Sequence, residues 1–333
     1  MLKRWQFWLG AGISALFLVI ALRNLHLGNV WAEMRAARYG WILPGVAVYF
    51  LGVWARTWRW DYLLRPLKRI PLRRLFPVVV IGYMGNNVYP ARAGEVIRAY
   101  VLRRREGVSI GASLATIVVE RVFDGLVMLI FVFIGLPFTP MPGWLQGMVI
   151  AASLLFFGAL GLFMTLAIKI EWAEVAYGWA IDRVVPARFR VPVRGFADRF
   201  MTGLHSLRSG RGVLMIFVTS IVIWLAETVK YWFVMHAFDF SVPFWVLMLM
   251  NGIVNLATTI PSSPGYVGTF DAPGIEILSI FGVERSLAAG YTLVLHAALW
   301  LPITLLGFWY MGRESISWRD FGQAEKSLVQ QPG

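Results

Sequence analysis

Leu75–Arg105 reads LFPVVVIGYMGNNVYPARAGEVIRAYVLRRR, and a straight membrane helix cannot accommodate it. It opens with about eleven apolar residues, roughly half of the ~20 that span a bilayer core. Asn86 and Asn87 then lead into Pro90, Arg92, Gly94, Glu95 and Arg98, so amides, a helix breaker, a hinge glycine and three charges interrupt the run. A second short helical piece ends in Arg103, Arg104 and Arg105, and Arg65, Lys68, Arg69, Arg73 and Arg74 precede the stretch. Basic clusters of this kind stay in the cytoplasm. Both ends therefore point to one side, which predicts a hairpin, residues 75–105, that dips into the bilayer and returns. Non-helical backbone at that depth is tolerated only inside protein or beside a water-filled cavity. The segment is expected to line such a cavity.

Composition sets the class. Of 333 residues 58% are hydrophobic and 15% charged, and 16 are Trp, the profile of an all-α polytopic integral membrane protein. The net charge of +13 falls in loops between apolar runs. Orientation in an anionic membrane accounts for it, and no nucleic-acid partner is expected. With no cysteine, disulfides, thiolate zinc and cysteine nucleophiles are excluded. Four scattered histidines predict no metal site. No nucleophile–base pair or phosphate-binding glycine loop is present, so no catalytic residue and no cofactor is assigned, and the chain is not expected to be an enzyme.

About six full spans are expected, with two re-entrant hairpins. Residues 1–168 form an N-terminal membrane half, with spans at about Trp5–Leu22, Trp41–Trp58, Ala112–Leu136 and Trp144–Ile168. The first span is taken as retained, with Lys3 and Arg4 inside, and Arg23–Gly40 as an outer loop. Arg56 and Arg59 share a helix face near Trp54, Trp58 and Trp60, where snorkelling to the interface is the simpler account. Residues 169–212 are a cytoplasmic connector, with an amphipathic helix expected around Val193–Leu207 on anionic headgroups. Residues 213–311 form the C-terminal half. It has spans at Val213–Met235 and Leu287–Met311 around a second hairpin, 244–282, broken at PSSPGYVGTFDAPG, residues 261–274. Residues 312–333 are a tail, and both termini are expected in the cytoplasm of a plasma or inner membrane.

The two halves repeat a pattern of span, broken hairpin and span in opposite orientations, with Asn86 before Pro90 and Asn255 before Pro261. That is an inverted repeat of the transporter type, with its site where the broken segments meet. Either hairpin can instead be two short, tilted crossings, giving eight or more helices. Charges inside the spans, Glu120, Arg121 and Asp124 in one and Glu227 and Lys230 in another, must face protein or water. They are read either as helix-locking ion pairs or as a translocation pathway.

At these positions the sequence resembles a known family, the flippase-like membrane region of the lysylphosphatidylglycerol synthases. The resemblance rests on Asn86, Asn87, Pro90, Arg92, Gly94, Glu95 and Arg98, then on Glu120, Arg121 and Asp124, then on Pro261, Pro264, Gly265 and Gly268. It implies movement of an anionic, aminoacylated or polyprenyl-linked lipid between leaflets. A stand-alone member is expected, since 22 residues follow Met311 where the fused relatives carry an aminoacyl-transfer domain. Asp271 stands where the pattern has a glutamate, so the headgroup is not inherited from the resemblance.

Arg92 and Arg98 are then expected to hold phosphate, since guanidinium pairs with it bidentately. Arg98 is expected to pair with Glu95 when the groove is empty, and Glu95 and Asp271 to balance the arginines or meet a cationic headgroup. Asn86 and Asn87 complete the headgroup site, while Pro90, Gly94, Pro261, Pro264, Gly265 and Gly268 serve as hinges. The expected partners are an anionic phospholipid or polyprenyl-phosphate lipid and a separate lipid-modifying transferase, with homo-oligomerisation left open. A scaffold for a separate glycosyl- or aminoacyl-transferase is the second reading of the same pattern, with 169–212 as its dock.

Overall fold

The computed structural model describes residues 4–22, 25–89, 92–139, 153–154, 156–165, 169–260 and 262–314. Among them there is no strand. Pro90, Pro261, most of the expected fourth span and nearly all of the tail lie outside the described residues. The N-terminal half comprises α1 (Arg4–Leu22), α2 (Leu27–Ala36), α3 (Ile42–Leu64), α4 (Leu72–Val88), α5 (Ala93–Glu106) and α6 (Ile110–Gly135). The connector supplies α7 (Ile170–Val184) and α8 (Ala187–Gly203). The C-terminal half comprises α9 (Gly210–Met235), α10 (Phe244–Ala257), α11 (Asp271–Ile280) and α12 (Arg285–Arg313). The chain is an all-α polytopic membrane protein.

Helix lengths separate spans from hairpin arms. By length and apolarity α9 and α12 can cross a bilayer, and α2 joined to Tyr39–Leu64 does so only across a 73° bend. With 26 residues α6 is long enough as well, but it carries Glu120, Arg121 and Asp124. The arms are shorter. At 1.5 Å per residue, α4 with 17 residues and α5 and α10 with 14 reach only about 21–26 Å, against a core of ~30 Å. With 10 residues α11 is shorter still.

Small residues draw each hairpin together. α5 folds back along α4 so closely that a Cβ on Gly94 would collide with the Gly82 carbonyl oxygen and lie 2.5 Å from the Asn86 nitrogen. Gly94→Ala is therefore expected to force the arms apart and to lower stability by about 1–3 kcal/mol, the usual range for overpacking. Thermal unfolding in detergent reads it, and an unchanged midpoint refutes the tight crossing.

The packing follows the expected repeat. Matching α3 with α9, α4 with α10, α5 with α11 and α6 with α12 pairs the contacts as well: α3 lies on α9, α4 packs on α12, and α6 packs on α10. A glycine opens each of the last two seams, with Gly307 receiving Met84 and Gly135 receiving Leu249.

Two segments differ from expectation. The outer loop contains α2, which packs on α12 and turns Trp31 and Leu27 outward. In the connector α8 docks on the start of α6, with Gly203 against Ala112 and Ala115, because its small residues allow a close crossing. Exposed apolar residues lie on α7, at Trp172, Val175 and Trp179, as well as at the start of α8, at Phe189, Val191 and Val193. Tyr177 of α7 donates to Asp198 of α8 at 2.6 Å, and that bond, with partial burial, pushes its phenol up to about 12. The tie therefore persists through the physiological range.

Candidate functional site

Buried charges need partners, and in this fold those partners come from distant helices. Arg59 of α3 is 1% exposed. Its Nη1 and Nη2 donate to the two carboxylate oxygens of Asp124 at 2.7 and 3.2 Å, Nη1 also donates to Ser220 Oγ at 2.6 Å, and Nε lies 3.6 Å from Glu120. Arg98 of α5 donates to the other oxygen of Glu120 at 2.7 Å, with its guanidinium 3.6 Å over the Trp60 ring. Trp224 of α9 also donates to Asp124, at 2.9 Å. One network thus joins α3, α5, α6 and α9.

This corrects three expectations. Arg56 and Arg59 do not snorkel, because acids on α6 and α9 lie within hydrogen-bond reach of them. Arg98 pairs with Glu120 rather than Glu95, because it points from α5 towards α6. Glu120 and Asp124 are buried behind the cavity described next, whereas Arg121 between them turns about 100° round the helix and lines it.

That cavity, of about 140 Å³, lies between the hairpin tips and α3, α6, α9 and α12. Arg56, Arg92, Arg121 and Lys230 line it, and Glu227 is the carboxylate among the lining residues. Glu227 is already engaged, accepting from Arg56 at 2.7 Å and pairing with Lys230. Glu95 lies 3.7 Å from Arg92 and 3.8 Å from Arg121, both too long for a hydrogen bond. Asn86, Asn87, Tyr49, Tyr83, Tyr231 and Tyr266 add neutral polar groups to the wall. Among the described residues the Nε atoms of Arg92 and Arg121 and the Oδ1 of Asn86 have no acceptor or donor.

The two tips meet at this cavity. Arg92, at φ 53°, reaches Thr258 O at 3.3 Å and packs over Tyr266. Asn87 donates to Thr304 at 2.8 Å, and Trp300 returns a bond to the Asn87 carbonyl at 3.3 Å. In the second tip Gly265 and Gly268 hold φ of 72° and 83°, where an L side chain is strained. Pro264 opens that turn. Asp271 does not balance the arginines, because one of its oxygens accepts from Gly268 N at 2.9 Å and the other pairs with His296 at 2.8 Å.

Sequence reasoning missed Arg56, Arg59, His296, Trp300 and the four tyrosines as parts of this centre. A charge balance across spans held the signal for the arginines. The α6 segment has a surplus acid and the α3 segment two arginines beside one acid, so each segment completes the other. A lone histidine inside the apolar run Leu287–Met311 carries no such signal.

Comparisons with known proteins agree with this architecture. A UPF0104 membrane protein of Methanothermobacter thermautotrophicus is 24% identical over 87% of this chain and 91% of its own. A second, from Methanocaldococcus jannaschii, is 21% identical over 89% and 91%. Glycosyltransferase AglD of Haloferax volcanii is 25% identical over 89% of this chain, which spans about half (53%) of that protein. The family model described as the lysylphosphatidylglycerol synthase TM region matches residues 7–307, and the chain belongs to that family.

Proposed function

We propose that the protein moves a lipid with a phosphate-bearing headgroup between leaflets, holding the headgroup in the central cavity while the acyl or prenyl chains stay in lipid. The observation that carries this is the cationic cavity between the hairpin tips: Arg92 and Arg121 face it with Nε donors that have no acceptor among the described residues and with a loosely held carboxylate, Glu95, between them, while Arg121 also keeps Asp124 at 3.1 Å. A phosphate entering there displaces Glu95 and gains two planar forks of donors, so charge is exchanged rather than buried uncompensated. Arg92 and Arg121 take the role that the sequence assigned to Arg92 and Arg98. Arms too short to cross the bilayer support two re-entrant hairpins, and the basic residues flanking the first support its entry from the cytoplasm, which puts entry of the second outside. The family's description, naming a phospholipid synthase, supports lipid handling.

One relative is named a glycosyltransferase and extends well beyond the shared region, which favours a second reading, a membrane scaffold for a separate transferase docked on residues 169–212. Reconstitution separates the two. In phosphatidylcholine vesicles with trace fluorescent phosphatidylglycerol or polyprenyl phosphate, the protein is expected to expose inner-leaflet label to an impermeant quencher without altering it chemically. Label that stays protected for both lipids overturns transport and favours the scaffold, while a modified lipid identifies an intramembrane transferase.

A further inference from the structure

His296 of α12 lies between two acceptors. Its Nε2 is 2.7 Å from the Gly265 carbonyl oxygen and its Nδ1 is 2.8 Å from Asp271 Oδ1. A carbonyl oxygen only accepts, so Nε2 carries a proton. The second contact needs another proton, on Nδ1 or on the carboxyl. The closed arrangement therefore holds one proton more than a neutral imidazole beside a carboxylate. Burial reinforces this: the two side chains are only 14% and 3% exposed, and charge left uncompensated there is costly.

The clamp bears on the second hairpin tip at two points, Gly265 through its carbonyl and Gly268 through its N–H to Asp271 Oδ2. Gly265 and His296 both line the central cavity, and the Phe270 ring lies 4.5 Å from the imidazole. Besides Asp271 on α11, the charged groups of that cavity are Arg92 at the first tip, Arg56 on α3, Arg121 on α6 and Glu227 and Lys230 on α9, with the Tyr266 phenol at the second tip. When the extra proton leaves to bulk water, one short contact becomes acceptor against acceptor and the tip loses a fastening. No electron moves and no other bond changes.

We infer that Asp271 and His296 form a proton-binding site that fastens the second hairpin tip, and that the proton is the ion coupled to headgroup movement. The coupling rests on the transport function proposed above, whereas the proton site stands apart from it. The cysteine-free sequence permits a single nitroxide at Val267→Cys, a tip residue 41% exposed. In the His296 protein its spectrum is expected to change reversibly from immobile to mobile as pH rises, and in His296→Gln and Asp271→Asn to be independent of pH. A spectrum indifferent to pH with His296 present, or the same titration in His296→Gln, overturns the site. For coupling, one proton per lipid shifts the steady-state leaflet ratio about tenfold for each unit of pH gradient. Leaflet exchange that proceeds but ignores the gradient overturns coupling. Absence of exchange at every pH overturns transport, and coupling with it, and leaves the nitroxide to decide the proton site alone.

Discussion

Arg59→Ala is expected to lower the stability of the protein by about 3 kcal/mol, at the low end of the ~3–5 kcal/mol for breaking a buried ion pair. The low end follows from the partners that remain: Asp124 keeps Arg121 at 3.1 Å and the Trp224 N–H, and Glu120 keeps Arg98. Arg65→Ala provides the comparison. Arg65 pairs with Asp61 one turn away but its side chain is 46% exposed, and such pairs contribute about 0–1 kcal/mol. Thermal unfolding in detergent should rank the two variants clearly, and equal shifts would show that Arg59 is no keystone. Adding Asp124→Asn to Arg59→Met removes both charges of the bidentate pair, leaves Glu120 with Arg98, and should recover much of the loss.

The second large effect falls on activity. Arg92→Ala and Arg121→Ala are each expected to slow leaflet exchange about 10- to 100-fold, the kinetic equivalent of losing one charged hydrogen bond of about 1.5–3 kcal/mol. Arg92→Ala should hardly change stability, because Arg92 is a quarter exposed and its contact with Glu95 is long. Arg121→Ala should cost some stability as well, because Arg121 also pairs with the buried Asp124 at 3.1 Å, which then keeps Arg59 and the Trp224 N–H. Arg98→Ala should show the opposite profile, unfolding earlier through its buried pair with Glu120. Lysine at 92 or 121 keeps the charge but loses the fork and should restore only part of the rate. If Arg92→Ala and Arg121→Ala exchange lipid at the parent rate while the parent protein is active, the headgroup lies elsewhere.

The contrast between these variants marks what the sequence made legible. The breaks at Asn86–Arg98 and around Pro264–Gly268 were plain because apolar runs too short to cross a bilayer end in residues that lipid does not tolerate. The repeat was plain for the same reason, and the tips do meet. Partner choice was not. Arg56 finds Glu227, 171 residues away, and Arg59 finds Asp124, 65 away, and no local spacing encodes such pairs. Nor does a sequence say which of Glu120, Arg121 and Asp124 faces inward, since small rotations of a helix decide it and packing sets the rotation. Composition foretold that the charges must be satisfied; the tertiary fold chose by whom.

The long-range pairs also bear on how the molecule can move. Prying α3 from α9 would strip Arg56 from Glu227 and Arg59 from Ser220 in a poorly screened interior, a penalty of several kcal/mol for the ion pair alone. The contacts at the tips are mostly hydrogen bonds with a neutral partner, such as Asn87 to Thr304 and Ser14 to Ser263, each worth about 1 kcal/mol. In the transport cycle proposed above, the stroke therefore is not a rocking of one half of the molecule against the other. In that cycle the paired long helices would act as a fixed keel, and the travel would belong to the two short arms that close over it.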